Sequence, residues 1–203
     1  MEQNKTSHLV ITIGRQYGSG GREIGRRLAE KLGIGFYDNA LVERAAEQAG
    51  LDPAKASEHD DKVSGKFFFG KKESGKAPAT VSERMFAAQS RVIRQLADTE
   101  DCVIIGRCAD YVLKGRENLL RVFIYADVES RAKRCIEEYH VQEAGARMDM
   151  RKVDKDRAAY YDSYCDGEWG SPENYDLLLN SELLGPDGCV EVIMNTVRIM
   201  QEK

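Results

Sequence analysis

His8-Leu-Val-Ile-Thr-Ile-Gly-Arg-Gln-Tyr-Gly-Ser-Gly-Gly-Arg-Glu-Ile24 joins two periodicities through a run of glycines. Residues 8–13 are β-branched and apolar, which predicts a buried strand. From Arg22 to Leu32 the residues Ile24, Leu28 and Leu32 recur at four-residue steps while Arg26, Arg27, Glu30 and Lys31 face away, which predicts an amphipathic helix stopped by Gly33. A Gly-rich turn between strand and helix lets backbone N–H groups face a phosphate, and the helix dipole adds positive potential there. The candidate cradle is Arg15, Gly18, Ser19, Gly20, Gly21 and Arg22. Its plainer alternative is a glycine turn that only packs closely.

The standard phosphate-loop pattern G-x-x-x-x-G-K-[ST] is not met. Counting from Gly20, Arg15 stands at the first glycine, Gly21 at the lysine and Arg22 at the Ser/Thr position. Arginine can restore charge and a bidentate grip, but it cannot supply the hydroxyl that normally touches Mg²⁺. Ser19 is the nearby hydroxyl, and spacing alone does not give it that task.

Outward from the loop, short apolar runs alternate with helical segments, the pattern of a parallel sheet covered by helices. Expected strands are 8–13, 36–38, 102–106, 119–125 and 176–180. Expected helices are 22–32, 41–48, Thr80 to about Thr99, Asp127 to about Gly145, Arg147 to about Tyr164, and Pro186 to Gln201. Thr80 with Glu83 makes a capping box, and Phe86, Val92, Ile93 and Leu96 form that helix's core face. Residues 52–79 break the pattern and read as a flexible insertion in one domain spanning 1–203. Their Phe67-Phe68-Phe69 run can pack on the domain or on a partner subunit, so a homo-oligomer is compatible with the sequence.

With 203 residues and 42 per cent apolar side chains, the chain can bury a core. Its 30 basic against 34 acidic residues argue against coating nucleic acid by bulk charge. No run approaches a membrane span and the first residues lack an apolar signal core, so a soluble cytoplasmic protein is expected. The five scattered cysteines form no C-x-x-C pair and suit reduced thiols better than a structural metal site.

The runs Ile11 to Ile24, Gly33-Ile-Gly-Phe-Tyr-Asp38 and Cys102-Val-Ile-Ile-Gly-Arg-Cys-Ala-Asp110 together resemble the cytidylate kinase-like family. The resemblance covers nearly the whole chain apart from 52–79, and the Arg, Gly, Arg departure is itself distinctive of that group. It implies a three-layer P-loop NTPase-type α/β fold with a five-stranded parallel sheet and a helical lid over about 131–165. Implied too are ATP and Mg²⁺ as cofactors and a nucleoside monophosphate, CMP or dCMP, as acceptor. Asp38 and Arg44 have the spacing of the family's acceptor contacts. Asp38 capping a helix and Arg44 as a solvated residue is the competing reading. Arg107 matches a Gly-Arg-Asp motif with Cys108 in place of its Asp, and Asp110 is offered as the missing carboxylate.

Phosphoryl transfer calls for cations around the transferring group, and Arg22, Arg131, Arg151 and Arg157 are the candidates, with Arg134 on the donor nucleotide. Arg147 belongs to the same basic group. Interleaved acids make an ordinary solvated helix the alternative. Tyr160, Tyr161, Tyr164, Trp169 and Tyr175 read as packing before base stacking. Two other functions stay open at this point, a non-catalytic nucleotide-binding regulator and a kinase for another small acceptor.

Overall fold

The chain's apolar runs assemble into a single parallel sheet. In the computed structural model, which describes residues 7–38, 44 and 80–202, the strands are β1 (Val10–Arg15), β2 (Gly35–Tyr37), β3 (Cys102–Ile105), β4 (Leu119–Tyr125) and β5 (Leu177–Asn180), in the order β2-β3-β1-β4-β5. Every pairing is parallel, with Ile13 opposite Ile105 on one side and Val122 on the other. The helix expected at 41–48, the 52–79 insertion and the Phe67–Phe69 run lie outside the described residues.

Helices cover both faces, which is why the strands are continuously apolar rather than alternating. On one face α1 (Gly21–Leu32) and α6 (Ser181–Gln201) bury Ile24, Leu28 and Ile193 against Ile11, Ile13 and Val122. On the other, α2 (Val81–Thr99) packs Val92, Ile93 and Leu96 on Val10 and Ile104, joined by the short α3 (Ala109–Val112). The capping box at Thr80 and Glu83 forms as expected, and Gly33 closes α1 in the left-handed conformation at φ 67°. Phe86 turns instead toward a separate aromatic cluster with Tyr160 and Tyr164.

Two helix boundaries differ from the sequence reading. The helix capped by Asp127 does not run to Gly145: α4 (Val128–Glu137) ends early, His140 takes a left-handed φ of 56°, and α5 (Glu143–Tyr164) begins anew. The closing helix starts at Ser181 rather than Pro186. Asn180 caps its first turn by accepting from the N–H groups of Glu182 (3.0 Å) and Leu183 (3.4 Å). Gly185, at φ 66° and ψ 168°, then interrupts the helix. Pro186 restarts it, since a proline at a first turn lacks only an N–H that would have no partner. No helix among the described residues is long and apolar enough to cross a membrane.

Candidate active site

The glycine turn between β1 and α1 has the conformation a phosphate cradle needs. Gly18 and Gly20 are left-handed, at φ 79° and 76°. Gly20 is the N-cap of α1 and brings no side-chain acceptor to that helix's N–H groups. Such a terminus is electropositive and has donors to offer an anion. Ser19 is fully buried, and its hydroxyl donates to the Gln16 carbonyl at 2.8 Å, closing the loop on itself.

Steric contacts explain the departure from the standard loop. A Cβ at Gly21 would stand 2.6 Å from the Cβ of Arg15, so no lysine fits at 21 while a side chain occupies 15. The Arg15 guanidinium in turn lies where a Cβ at Gly106 would sit, beyond the end of β3. The loop carries its cation at position 15, where the standard pattern has glycine, and Gly106 leaves room for it. Arg22, on the first turn of α1, pairs with the largely buried Asp38 at the end of β2.

Two helices hold the loop from outside. The Tyr17 N–H donates to Asp154 Oδ1 at 2.7 Å, while Arg131 Nη1 donates to the Tyr17 carbonyl at 3.1 Å and to Asp154 Oδ2 at 2.5 Å. Arg157 Nη1 donates to the Arg15 carbonyl at 3.1 Å, with its guanidinium 5.7 Å from the centre of the Tyr17 ring. Arg134 covers Gly20, where a Cβ would come within 2.6 Å of its guanidinium. These ties bind α4 and α5 to the first loop.

Beside the loop opens a cavity of about 660 Å³ beyond the carboxyl ends of the strands, where ligands of open α/β sheets bind. Five basic side chains line it: Arg15, Arg22, Arg107, Lys152 and Arg157. Four carboxyl groups interleave with them: Asp38, Asp110, Asp149 and Asp156. Arg107 sits in an uncommon backbone segment, three successive left-handed residues with φ of 68° at Gly106, 57° at Arg107 and 55° at Cys108. Left-handed geometry costs a non-glycine residue about 1–2 kcal/mol, and strain of this kind gathers where a side chain must be aimed. Burial lowers the pKa of Arg107, against opposing pulls from Tyr160 and Asp38. An anion arriving in the cavity would offset that loss of solvation.

The inner wall is aromatic. Tyr160 donates to the buried Gln89 at 2.6 Å and meets Tyr164 edge-on, while Phe86 stacks on Tyr164 with ring centres 4.3 Å apart. Phe123 contacts Trp169 and Tyr175, and Gly14 leaves room for both Phe123 and Tyr175. These rings pack on one another, yet Tyr160, Tyr161, Trp169 and Tyr175 also line the cavity. Tyr161 donates to Asp110 Oδ2 at 2.8 Å. Burial raises the Asp110 carboxyl above its usual range despite that hydrogen bond. A hydrogen bond with Cys165, then burial, raise the Cys108 thiol, so it is a neutral wall rather than a nucleophile. All five cysteines are free and buried.

Of the residues singled out in the sequence, Arg15, Arg22, Asp38, Arg107, Asp110 and Arg157 meet at this cavity. Gly18, Ser19, Gly20 and Gly21 form the loop beside it. Arg131 is buried in its pair with Asp154, Arg134 bonds Glu138 over the loop, and Arg151 is exposed; none of the three is in the cavity wall. Arg44 lies over the Tyr37 ring at 5.5 Å. Asp149, Lys152 and Asp156 were missed. Their signal was periodic, since 149, 152, 153, 156, 157 and 160 fall on one face of α5. Among the described residues no three His, Cys, Asp or Glu side chains group to hold a metal.

The sequence profile of the cytidylate kinase-like family matches residues 10–183. A cytidylate kinase of Methanobrevibacter smithii is 22% identical over 196 residues, covering 95% of this chain and 100% of that one. One from Methanoculleus marisnigri is 27% identical over 189 residues, covering 91% and 92%. Among solved structures, an uncharacterized protein from Eubacterium ventriosum superposes with a TM-score of 0.73 at 26% identity, covering 94% of this chain and 99% of that one. Shikimate kinase from Acinetobacter baumannii shares the fold, with a TM-score of 0.55 at 17% identity and coverage of 98% and 97%. With a phosphate-loop kinase fold and a family match from the first strand into the last helix, the chain belongs to the cytidylate kinase-like family of phosphotransferases.

Proposed function

We propose that the protein transfers the γ-phosphoryl group of ATP to a nucleoside monophosphate, with CMP or dCMP as the acceptor. The observation that carries this reading is the convergence of five basic side chains on one cavity beside a helix N-terminus that no side chain caps. Four carboxyl groups share that wall and Asp38 is paired with Arg22, so the reading rests on where the cations stand, from the loop to the end of β3 and α5, with places for two phosphorylated ligands to meet end to end.

In this reading the Gly18–Gly21 backbone and the first turn of α1 hold the donor phosphates. Arg15 supplies the charge that a lysine at 21 would have given. Arg107, aimed by its left-handed backbone, takes the acceptor phosphate, and Asp38 fixes Arg22 between the two. Arg157 and Lys152 reach in from α5 to offset charge on the transferring group. The acceptor phosphate is already ionised near neutral pH, so positioning rather than a general base carries the rate. The residues present suit ATP better than they suit a dedicated Mg²⁺ cage. Arg22 replaces the usual hydroxyl, Ser19 donates within its own loop, and among the described residues no three carboxylates cluster to hold a metal. Mg²⁺ would enter bound chiefly to phosphate oxygens and water, as it commonly is with nucleotides.

The test is an ATP-consumption assay with Mg²⁺ over CMP, dCMP, UMP, AMP and GMP, scored by the diphosphate product. Turnover highest with CMP or dCMP is expected. Folded protein that forms no diphosphate from any of them overturns the reading and leaves a nucleotide-binding regulator or another small acceptor.

A further inference from the structure

Two N–H groups of the loop, those of Gly18 and Gly20, are set from behind. In a trans peptide the C=O and the next residue's N–H point in opposite directions. Whatever grips the carbonyl on the outside of the loop therefore turns the following N–H to the inside. Arg131 grips the Tyr17 carbonyl (3.1 Å), which faces the Gly18 N–H the other way. Ser181 Oγ donates to the Ser19 carbonyl at 2.7 Å, which does the same for the Gly20 N–H. Neither glycine N–H has an acceptor among the described residues.

Ser181 is 162 positions from Ser19 in sequence, 3% exposed, and no part of the cavity wall. Its turn is a separate device at the start of α6, capped by Asn180 and cut from the rest of the helix at Gly185. The hydroxyl has one proton, and its second contact, the Tyr125 carbonyl at 3.2 Å, is the longer. Ser181 and Ser19 are both buried, so the bond is shielded from bulk solvent. Without it, the buried Ser19 carbonyl loses its donor and the Ser19–Gly20 peptide can rotate, presenting an oxygen to the phosphate in place of an N–H.

We propose that Ser181 is a positioning residue for the donor phosphates, holding the Ser19–Gly20 peptide so that the Gly20 N–H points into the cradle. The inference rests on the reading of this loop as a phosphate site. The experiment pairs Ser181→Ala with Ser181→Thr, which keeps the hydroxyl. Three quantities are read: KM for ATP, KM for the acceptor, and the amide resonance of Gly20 without ligand.

In Ser181→Ala we expect the ATP KM to rise by about five- to tenfold, the scale of one lost hydrogen bond and its orphaned acceptor. The acceptor KM should stay within about twofold by the same logic, the Gly20 resonance should shift, and Ser181→Thr should restore all of these. Unchanged ATP KM with an unmoved Gly20 resonance overturns the proposal. So does an equal rise in both KM values with no rescue by threonine, which would mark a merely structural role. If the wild-type protein bound no ATP while the Gly20 resonance still moved in Ser181→Ala, the phosphate reading would have failed and the peptide-orienting contact would stand.

Discussion

The loop side of the cavity is made of backbone, whereas the opposite wall is made of side chains. On the loop side the proposed working groups are chiefly N–H donors at Gly18, Gly20 and the start of α1, with the Arg15 guanidinium as the cation beside them, and Gly21 and Gly106 are positions where an added side chain would collide with Arg15. On the far wall they are Arg107, Asp110, Lys152, Arg157 and a set of aromatic rings drawn from β3's end, α5 and the segment before β5. A backbone site fails when something is added to it. A side-chain site fails when something is removed.

The largest effect should come from an addition to the loop. Gly21→Lys restores the standard lysine but drives its Cβ into that of Arg15, 2.6 Å away. Overpacking of this kind costs about 1–3 kcal/mol and would displace the cradle, so ATP turnover should fall by more than about 100-fold, by the scale of a lost oxyanion-type donor. Arg15→Gly alone should also be poor, for lack of a cation. The double variant, with glycine at 15 and lysine at 21, should recover much of the loss, because the clash and the missing charge cancel. Steady-state kinetics on the four proteins measure the coupling; additive losses would contradict the exchange of positions.

On the side-chain wall, Arg107→Gly separates function from stability. Glycine takes φ near 57° without strain, and that backbone gain of about 1 kcal/mol offsets the contacts the half-buried side chain gives up, so the midpoint of thermal unfolding should stay within about 4 °C of wild type. Acceptor kcat/KM should fall by about 10- to 100-fold, as when one partner of a charge-assisted contact is lost, while the ATP KM stays near wild type. A variant both less stable and less active would mean that Arg107 serves the fold instead.

The same division explains what could be read in advance. The loop announced itself because its glycines and flanking periodicities lie within about 25 consecutive residues, and the strands because burial on both faces makes them uniformly apolar. The Gly-Arg at 106–107 was visible as a residue pair, but not the three left-handed residues that aim it. Asp149, Lys152 and Asp156 resemble any solvated helical face, since only the position of α5 over the cleft puts them in the cavity wall. Arg131 stands elsewhere for the converse reason: a cation in the lid region, it is buried against Asp154 and grips the Tyr17 carbonyl, contacts that no sequence period records. Helix boundaries at 138–142 and 185 turned on a left-handed His140 and on a glycine next to a proline, both local choices that hydrophobic period does not record.

The smallest predicted effect concerns Asp110, a carboxyl in the wall that burial disfavours as an anion. Because folding raises the Asp110 pKa, its burial costs nothing below the unfolded value near 3.9 and becomes destabilising as pH rises from there through the folded value. Asp110→Asn removes that slope while still accepting from the Tyr161 hydroxyl. It should therefore match wild type at the acid end of the range and exceed it at neutral pH, by less than about 3 °C in the unfolding midpoint. Asp176 contributes the opposite slope: burial alone would raise it, but the hydrogen bonds and charge of Arg121 outweigh that and hold it below its usual range. Its stabilisation is present above the unfolded pKa and is lost as pH falls through the folded one. The two slopes partly cancel in a single melting curve, so the measurement that isolates Asp110 is the difference between the two proteins across pH. A difference that does not grow between acid and neutral pH would mean that the carboxyl is already balanced by Tyr161, Arg121 and the backbone donors of Asp110 and Tyr111.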